Sequence, residues 1–229
     1  MQPHETGKLF IVATPIGNLE DITLRALNVL KEVDVIAAED TRHTRKLLQH
    51  FGISKRVTSY YQNRETAKAG ELLKLLRSGM SVALVSDAGT PGISDPGFVV
   101  IREALAENIE TIPIPGVSSA IAALSASGLK TDRFVFEGFL PRKEGKRAKR
   151  LQLLAEEERT VIFFESPHRV LETLRELAAF FNGRKIVIAR EITKKFEEFI
   201  RGTLPEALEG LEERKNFKGE FTIILEGKP

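Results

Sequence analysis

Lys8-Leu-Phe-Ile-Val-Ala-Thr-Pro-Ile-Gly-Asn18 is the stretch on which the fold is decided. Residues 8–14 are an apolar run rich in β-formers, Pro15 to Asn18 turn the chain, and Ile22, Ala26, Leu27, Leu30 and Val33 then recur at helical spacing. The unit is strand, loop, helix, and it repeats. Val35 to Ala38 leads into Asp40, an N-cap for a helix through Leu47, Leu48 and Phe51 that stops at Gly52. Val57 to Tyr60 precedes a helix capped by Asn63 and ending near Gly79. Ser81 to Val85 runs into a long loop, Asp87 to Gly97, before a helix from Phe98 to Glu107, and Glu110 to Ile114 enters Pro115-Gly116. Five short apolar strands alternating with helices predict an α/β fold with a parallel, doubly wound sheet.

The second half has another rhythm. Strands are expected at Phe134 to Glu137, Thr160 to Glu165, Ile186 to Arg190, Glu198 to Thr203 and Phe221 to Glu226, with helices from Lys146 to Glu158, after Ser166-Pro167, and from Pro205. Two or three helices for five strands predict a mixed sheet. A break at Pro115 to Gly128 divides the chain into an N-terminal α/β domain, 1–115, and a C-terminal α/β domain, 116–229. The Phe163, Phe164, Phe180 and Phe181 stripe is expected in the core.

Composition narrows the function. With 42% hydrophobic and 29% charged residues, the chain is neither disordered nor low-complexity. No stretch reaches the roughly 18 apolar residues of a membrane helix, and Met1 to Gly7 lacks the features of a signal peptide, so a soluble, cytoplasmic protein is expected. Zero Cys and four His exclude a thiol nucleophile, a zinc ribbon and an iron–sulfur cluster, and no metal is expected.

Net charge is only +2, but Arg142 to Arg150 holds six basic residues against one acid. A run so short reads first as a solvated basic turn leading into a helix, with a phosphate contact as the sharper reading. Thr41-Arg42-His43-Thr44-Arg45-Lys46 is a second basic stretch.

Ligands of open parallel sheets bind beyond the carboxyl ends of strands. Three loops there mix glycine with small hydroxylated residues: Ala13 to Asn18, Asp87 to Gly97, and Pro115 to Ala120. None carries G-x-G-x-x-G or a P-loop. Gly116-Val117-Ser118-Ser119-Ala120 imitates a nucleophile elbow, with Asp132 and His168 following in hydrolase order, yet Ala120 replaces the last glycine and Asp132 comes too soon. Glu39, Asp87 and Glu165 end strands, where a carboxylate can serve as a base or merely cap a loop.

Residues 9–23 (LFIVATPIGNLEDIT), 39–44 (EDTRHT), 85–91 (VSDAGTP), 93–97 (ISDPG), 124–128 (LSASG), 137–141 (EGFLP) and 165–169 (ESPHR) together resemble the ribosomal RNA small subunit methyltransferase I family. The resemblance implies two domains of tetrapyrrole methylase type, S-adenosylmethionine in a cleft between them, and a homodimer. It also implies 2′-O-methylation of a cytidine in the decoding region of 16S rRNA within the small ribosomal subunit. Carried over by motif, Pro15, Gly17, Asp87, Gly89, Thr90, Ser118 and Ser119 would contact the cofactor, with Phe164, Ala189 and Gly219 from the second domain. Gly92 and Val117 depart from the family's usual residues.

For the acceptor hydroxyl the nominated general base is Glu165 first and Glu39 second. For RNA, the expected phosphate contacts are Arg42, Arg45, Lys46, Arg142, Lys143, Lys146, Arg147, Lys149 and Arg150. The competing readings are the same fold acting on a tetrapyrrole or a modified protein histidine, and a non-catalytic RNA-binding relic.

Overall fold

In the computed structural model, which describes residues 6–181, 183–214 and 218–229 (the side chain of Arg64 aside), the chain divides between Ser118 and Ser119 into two units. The first carries strands β1 (Leu9–Val12), β2 (Val35–Ala38), β3 (Arg56–Ser59), β4 (Val82–Val85) and β5 (Thr111–Ile114), with helices α1 (Leu24–Glu32), α2 (Thr41–His50), α3 (Glu65–Arg77) and α4 (Phe98–Ala106). The strands lie in the order β3-β2-β4-β1-β5, every pairing parallel.

Strand periodicity explains why these strands read as continuous apolar runs. Leu9, Ile11, Val35, Ala37, Val82 and Leu84 join Leu72 and Leu76 of α3 and Val100 and Ala104 of α4 in one cluster. Val12, Ile36, Ala38, Ala83 and Val85 join Ala26 and Leu30 of α1 and Leu48 of α2 in another. In β1, β2 and β4 alternate residues thus serve opposite faces, both covered by helices, so these three strands leave no position for polar side chains, whereas the edge strand β3 carries Arg56, Thr58 and Ser59.

The second unit contains α5 (Ser119–Ser125), β6 (Phe134–Phe139), α6 (Glu144–Leu154), β7 (Thr160–Glu165), α7 (Val170–Phe180), β8 (Lys185–Arg190), β9 (Glu198–Thr203), α8 (Leu204–Glu212) and β10 (Phe221–Leu225). Its order is β6-β7-β10-β8-β9, with β6 and β7 parallel and the remaining neighbours antiparallel. This is the mixed sheet that the helix-poor second half predicted. One face of β7, β8 and β10 buries Phe163, Ile188 and Ile223 against Leu151, Leu174 and Leu211 of α6, α7 and α8, while α5 packs on β7 and β10.

Three local expectations are corrected. Four helices, not two or three, accompany the second sheet among the described residues. The helix expected from Ser166 begins at Val170 instead, because Glu165 accepts from the Ser166 N–H and the Ser166 carbonyl accepts from Arg169 and Val170, closing a turn first. In the phenylalanine stripe, Phe163 and Phe181 are core, whereas Phe180 is exposed. No helix among the described residues is long and apolar enough to cross a membrane.

Candidate active site

The three loops singled out by composition meet at the carboxyl edge of the first sheet. Thr14 and Gly89 exchange backbone hydrogen bonds of 2.9 and 3.0 Å, and the Thr14 hydroxyl donates to the Ser86 carbonyl at 3.1 Å, which ties the loop after β1 to the loop after β4. Gly116 lies so close to Ala13 that a Cβ there would sit 2.8 Å from the alanine methyl, so the loop after β5 requires glycine to approach the first loop. Gly89, at φ 76°, stands with the Ile16 side chain and the Val117 carbonyl within 4 Å of where its Cβ would be. Around this junction Pro15 is buried, Gly17 is exposed, and Thr90 and Ser118 are half-buried.

Carboxylates brace the same edge from β2 and β4. Asp87 accepts from the Asp40 N–H at 3.0 Å, and the Asp87 N–H donates to Glu39 at 3.4 Å. Partial burial pushes the Glu39 carboxyl up from its ordinary value, only partly offset by the Asp87 amide; the negative charges of Asp87 and Asp40 push the same way. Asp40 caps α2 by accepting from Arg42 N–H at 2.8 Å and pairs with the Arg42 guanidinium, whose hydrogen bonds hold its carboxyl far below the usual range. Arg42, Arg45 and Lys46 are exposed along α2.

A pair of residues that composition did not single out fixes the long loop. Gly97 has no side chain to cap α4, and the capping acceptors come from after β3: Glu65 accepts from the Gly97 N–H at 2.7 Å, and the Tyr60 hydroxyl accepts from Val100 N–H at 3.2 Å while donating to Glu65 at 3.0 Å. Tyr60 is fully buried. The one hint in the sequence is a glycine where a helix start normally carries Ser, Thr or Asp.

The second unit places its candidates differently. Glu165, buried at the end of β7, accepts from the Ser166 N–H and the Thr173 hydroxyl and forms an ion pair with the Arg169 guanidinium, each at 2.7 Å. Both oxygens are committed to the turn into α7, so Glu165 braces that turn, whereas Glu39 accepts only the long contact from the Asp87 N–H. Phe164 is half-buried opposite Thr222, Ala189 is buried in β8, and Ser119 opens α5. Gly219, at φ 108°, has the Glu191 side chain where a Cβ would go, so the glycine has a packing reason independent of any ligand.

The basic island splits in two. Arg142, Lys143, Lys146 and Lys149 are exposed. Arg147 is only 3% exposed, gripping Glu172 and Glu176 of α7 at 2.5 Å, and Arg150 pairs with Glu137 of β6. The charges of Arg147 and Arg150 fasten α6 to its neighbours, so of the phosphate contacts expected in this run Arg142, Lys143, Lys146 and Lys149 are the ones that face water. Among the described residues no cluster of three His, Asp or Glu is arranged to hold a metal ion.

Comparison with known proteins places the chain in a family. The sequence profile of the tetrapyrrole (corrin/porphyrin) methylases matches residues 8–208. The chain is 54% identical to the ribosomal RNA small subunit methyltransferase I of Synechocystis over 96% of this chain and 79% of that one. It is 48% identical to the protein of the same name from Thermotoga maritima, over 97% and 99%. The crystal structure of uroporphyrin-III C-methyl transferase from Thermus thermophilus, complexed with S-adenyl homocysteine, shares the fold at TM-score 0.67 and 20% identity, covering 95% and 97% of the two chains. The chain belongs to the tetrapyrrole methylase family and, within it, groups with the ribosomal RNA small subunit methyltransferases I.

Proposed function

We propose that this protein transfers a methyl group from S-adenosylmethionine to the ribose 2′-hydroxyl of a cytidine in the decoding region of 16S rRNA, acting on the small ribosomal subunit as a homodimer. The observation that carries the reading is the meeting of the β1, β4 and β5 loops at one sheet edge, in a chain about half identical to small-subunit rRNA methyltransferases. The donor set fits the cofactor: Gly89 and Gly116 allow close backbone approach, and Asp87 and Glu39 present acceptors for ammonium and hydroxyl groups. Pro15, Gly17, Thr90 and Ser118 complete this set in the first unit, and Ser119, Phe164, Ala189 and Gly219 are the second unit's candidates.

S-adenosylmethionine supplies an already activated methyl group. The protein's work is therefore alignment and exclusion of water, worth up to roughly 7–11 kcal/mol when reacting atoms are held in line. Held by those loop residues, the cofactor would supply its methyl to the ribose oxygen, whose hydroxyl must give up one proton. Glu39, whose raised pKa brings it nearer to neutrality, takes that proton, a contribution of roughly 10²–10⁴ in rate. The exposed cations of α6 and α2 hold the RNA by its phosphates.

Radiolabelled cofactor and small subunits from cells lacking the gene test the reading. Label in the 2′-O position of one 16S rRNA cytidine is expected, with Glu39→Gln at least tenfold slower in single turnover. Label in a protein or tetrapyrrole, or none, overturns the assignment; full activity of Glu39→Gln removes the base.

A further inference from the structure

β6 is an edge strand of the second sheet, and it does not run regularly beside β7. Phe136 is opposite Ile162, but Phe139 rather than Gly138 is opposite Phe164, so β6 carries one extra residue. Gly138, at φ 64°, absorbs it. Bulges of this kind re-aim side chains and gather beside functional sites. Here the result is an aromatic cluster: the Phe139 and Phe136 rings lie edge-on to Phe164, with centroids 5.6 and 5.0 Å away. Leu140 is buried in the core and anchors the following turn, yet Phe139 remains 55% exposed.

A large aromatic ring held from behind and open in front is costly to leave in water. Chemistry close by says what covers it. Arg142, Lys143, Lys146 and Lys149, all exposed, follow within ten residues, and Arg142 lies no more than about 11 Å of chain from Phe139. Phe139 also stands at the carboxyl end of the one parallel strand pair of this sheet, the side on which such pairs receive ligands. An aromatic face flanked by four exposed cations against one exposed acid, Glu144 (Glu137 is paired with Arg150), matches an unpaired nucleotide: a base on the ring, phosphates on the helix.

We infer that Phe139 is a base-stacking platform for single-stranded RNA, supported by Phe136 and Phe164 and working with the exposed cations of α6. The inference rests on the RNA reading above and adds to it a residue that touches a base rather than a phosphate.

Stacking and phosphate contacts respond differently to salt. Binding of a short fluorescein-labelled single-stranded RNA of mixed sequence, measured across a salt series, separates them, and sedimentation of each variant monitors oligomeric state. Phe139→Ala should weaken binding about fivefold to a hundredfold with an unchanged slope of log affinity against log salt. Phe139→Leu should be nearly as weak, and Phe139→Trp should bind at least as well as the parent. Lys146→Glu with Lys149→Glu should instead flatten the slope. Wild-type binding by Phe139→Ala, full rescue by Phe139→Leu, or a change of oligomeric state on removing the ring each overturns the inference. Methylation of small subunits run in parallel keeps the two readings apart. No label in rRNA from the parent protein sinks the function while the platform stands on its binding data; label with unaffected Phe139→Ala binding sinks the platform alone.

Discussion

Glu165 accepts two close hydrogen bonds and pairs with a guanidinium, whereas Glu39 accepts a single long hydrogen bond from Asp87 N–H. Both end strands, and nothing in the residue type separates them; their surroundings do. The half-buried Glu39 pays for ionising, so its folded-state pKa exceeds the ordinary 4.5. Protonated Glu39 therefore favours the folded state, a contribution fully present below about pH 4.5 and lost as pH rises through the raised value. Glu39→Gln keeps the neutral form at every pH. Its melting temperature should match the parent's in acid, and the difference in its favour should grow as pH rises toward 7. Thermal melts across that range check it, and a lower melting temperature for the variant at neutral pH would contradict the burial argument. With Glu39 in the proposed base role, the same substitution should slow single-turnover methylation, so stability and activity should move in opposite directions.

In α6 alternate cations do different jobs. Arg147 reaches inward to Glu172 and Glu176 while its neighbours Lys146 and Lys149 face water. Arg147→Met should lower stability by about 1–3 kcal/mol, seen in urea titration, and leave the salt dependence of RNA binding intact. Lys146→Glu should do the reverse. Sequence spacing revealed that Arg142 to Arg150 was unusual but not which members faced α7, because that depends on where Glu172 and Glu176 arrive from another helix. The elements themselves were legible wherever periodicity is strong: β2 and β4 are apolar at every position because helices cover both faces, and β9 was delimited to the residue. Legibility failed where a side chain overrides local signals. Ser166-Pro167 has the composition of a helix start, but Glu165 captures the Ser166 N–H and delays α7 to Val170. The Tyr60–Glu65 cap of α4 joins residues about 32 to 40 positions apart, a distance no local pattern reports. The three glycine-containing loops were visible as composition at one sheet edge; the hydrogen bonds and close packing that join them were not.

At the scale of the molecule, a net charge of +2 supplies almost no general attraction to a polyanion, so RNA binding must come from the few exposed cations. Replacing Lys143, Lys146 and Lys149 together by Gln should reduce the salt slope by about 2 and weaken affinity, measured by filter binding at several ionic strengths, without altering cofactor affinity. An unchanged slope would relocate the phosphate contacts to α2. Each unit buries its own apolar clusters, and each sheet ends in strands with one unpaired side. That last feature bears on solubility. An unpaired strand is a template on which another molecule's strand can add, and a kinked strand is a poor one. The extra residue at Gly138 bends β6 away from such pairing, so Gly138→Val, which disfavours the kinked backbone, should yield protein that self-associates into β-rich aggregates on gentle heating, a change that light scattering would record.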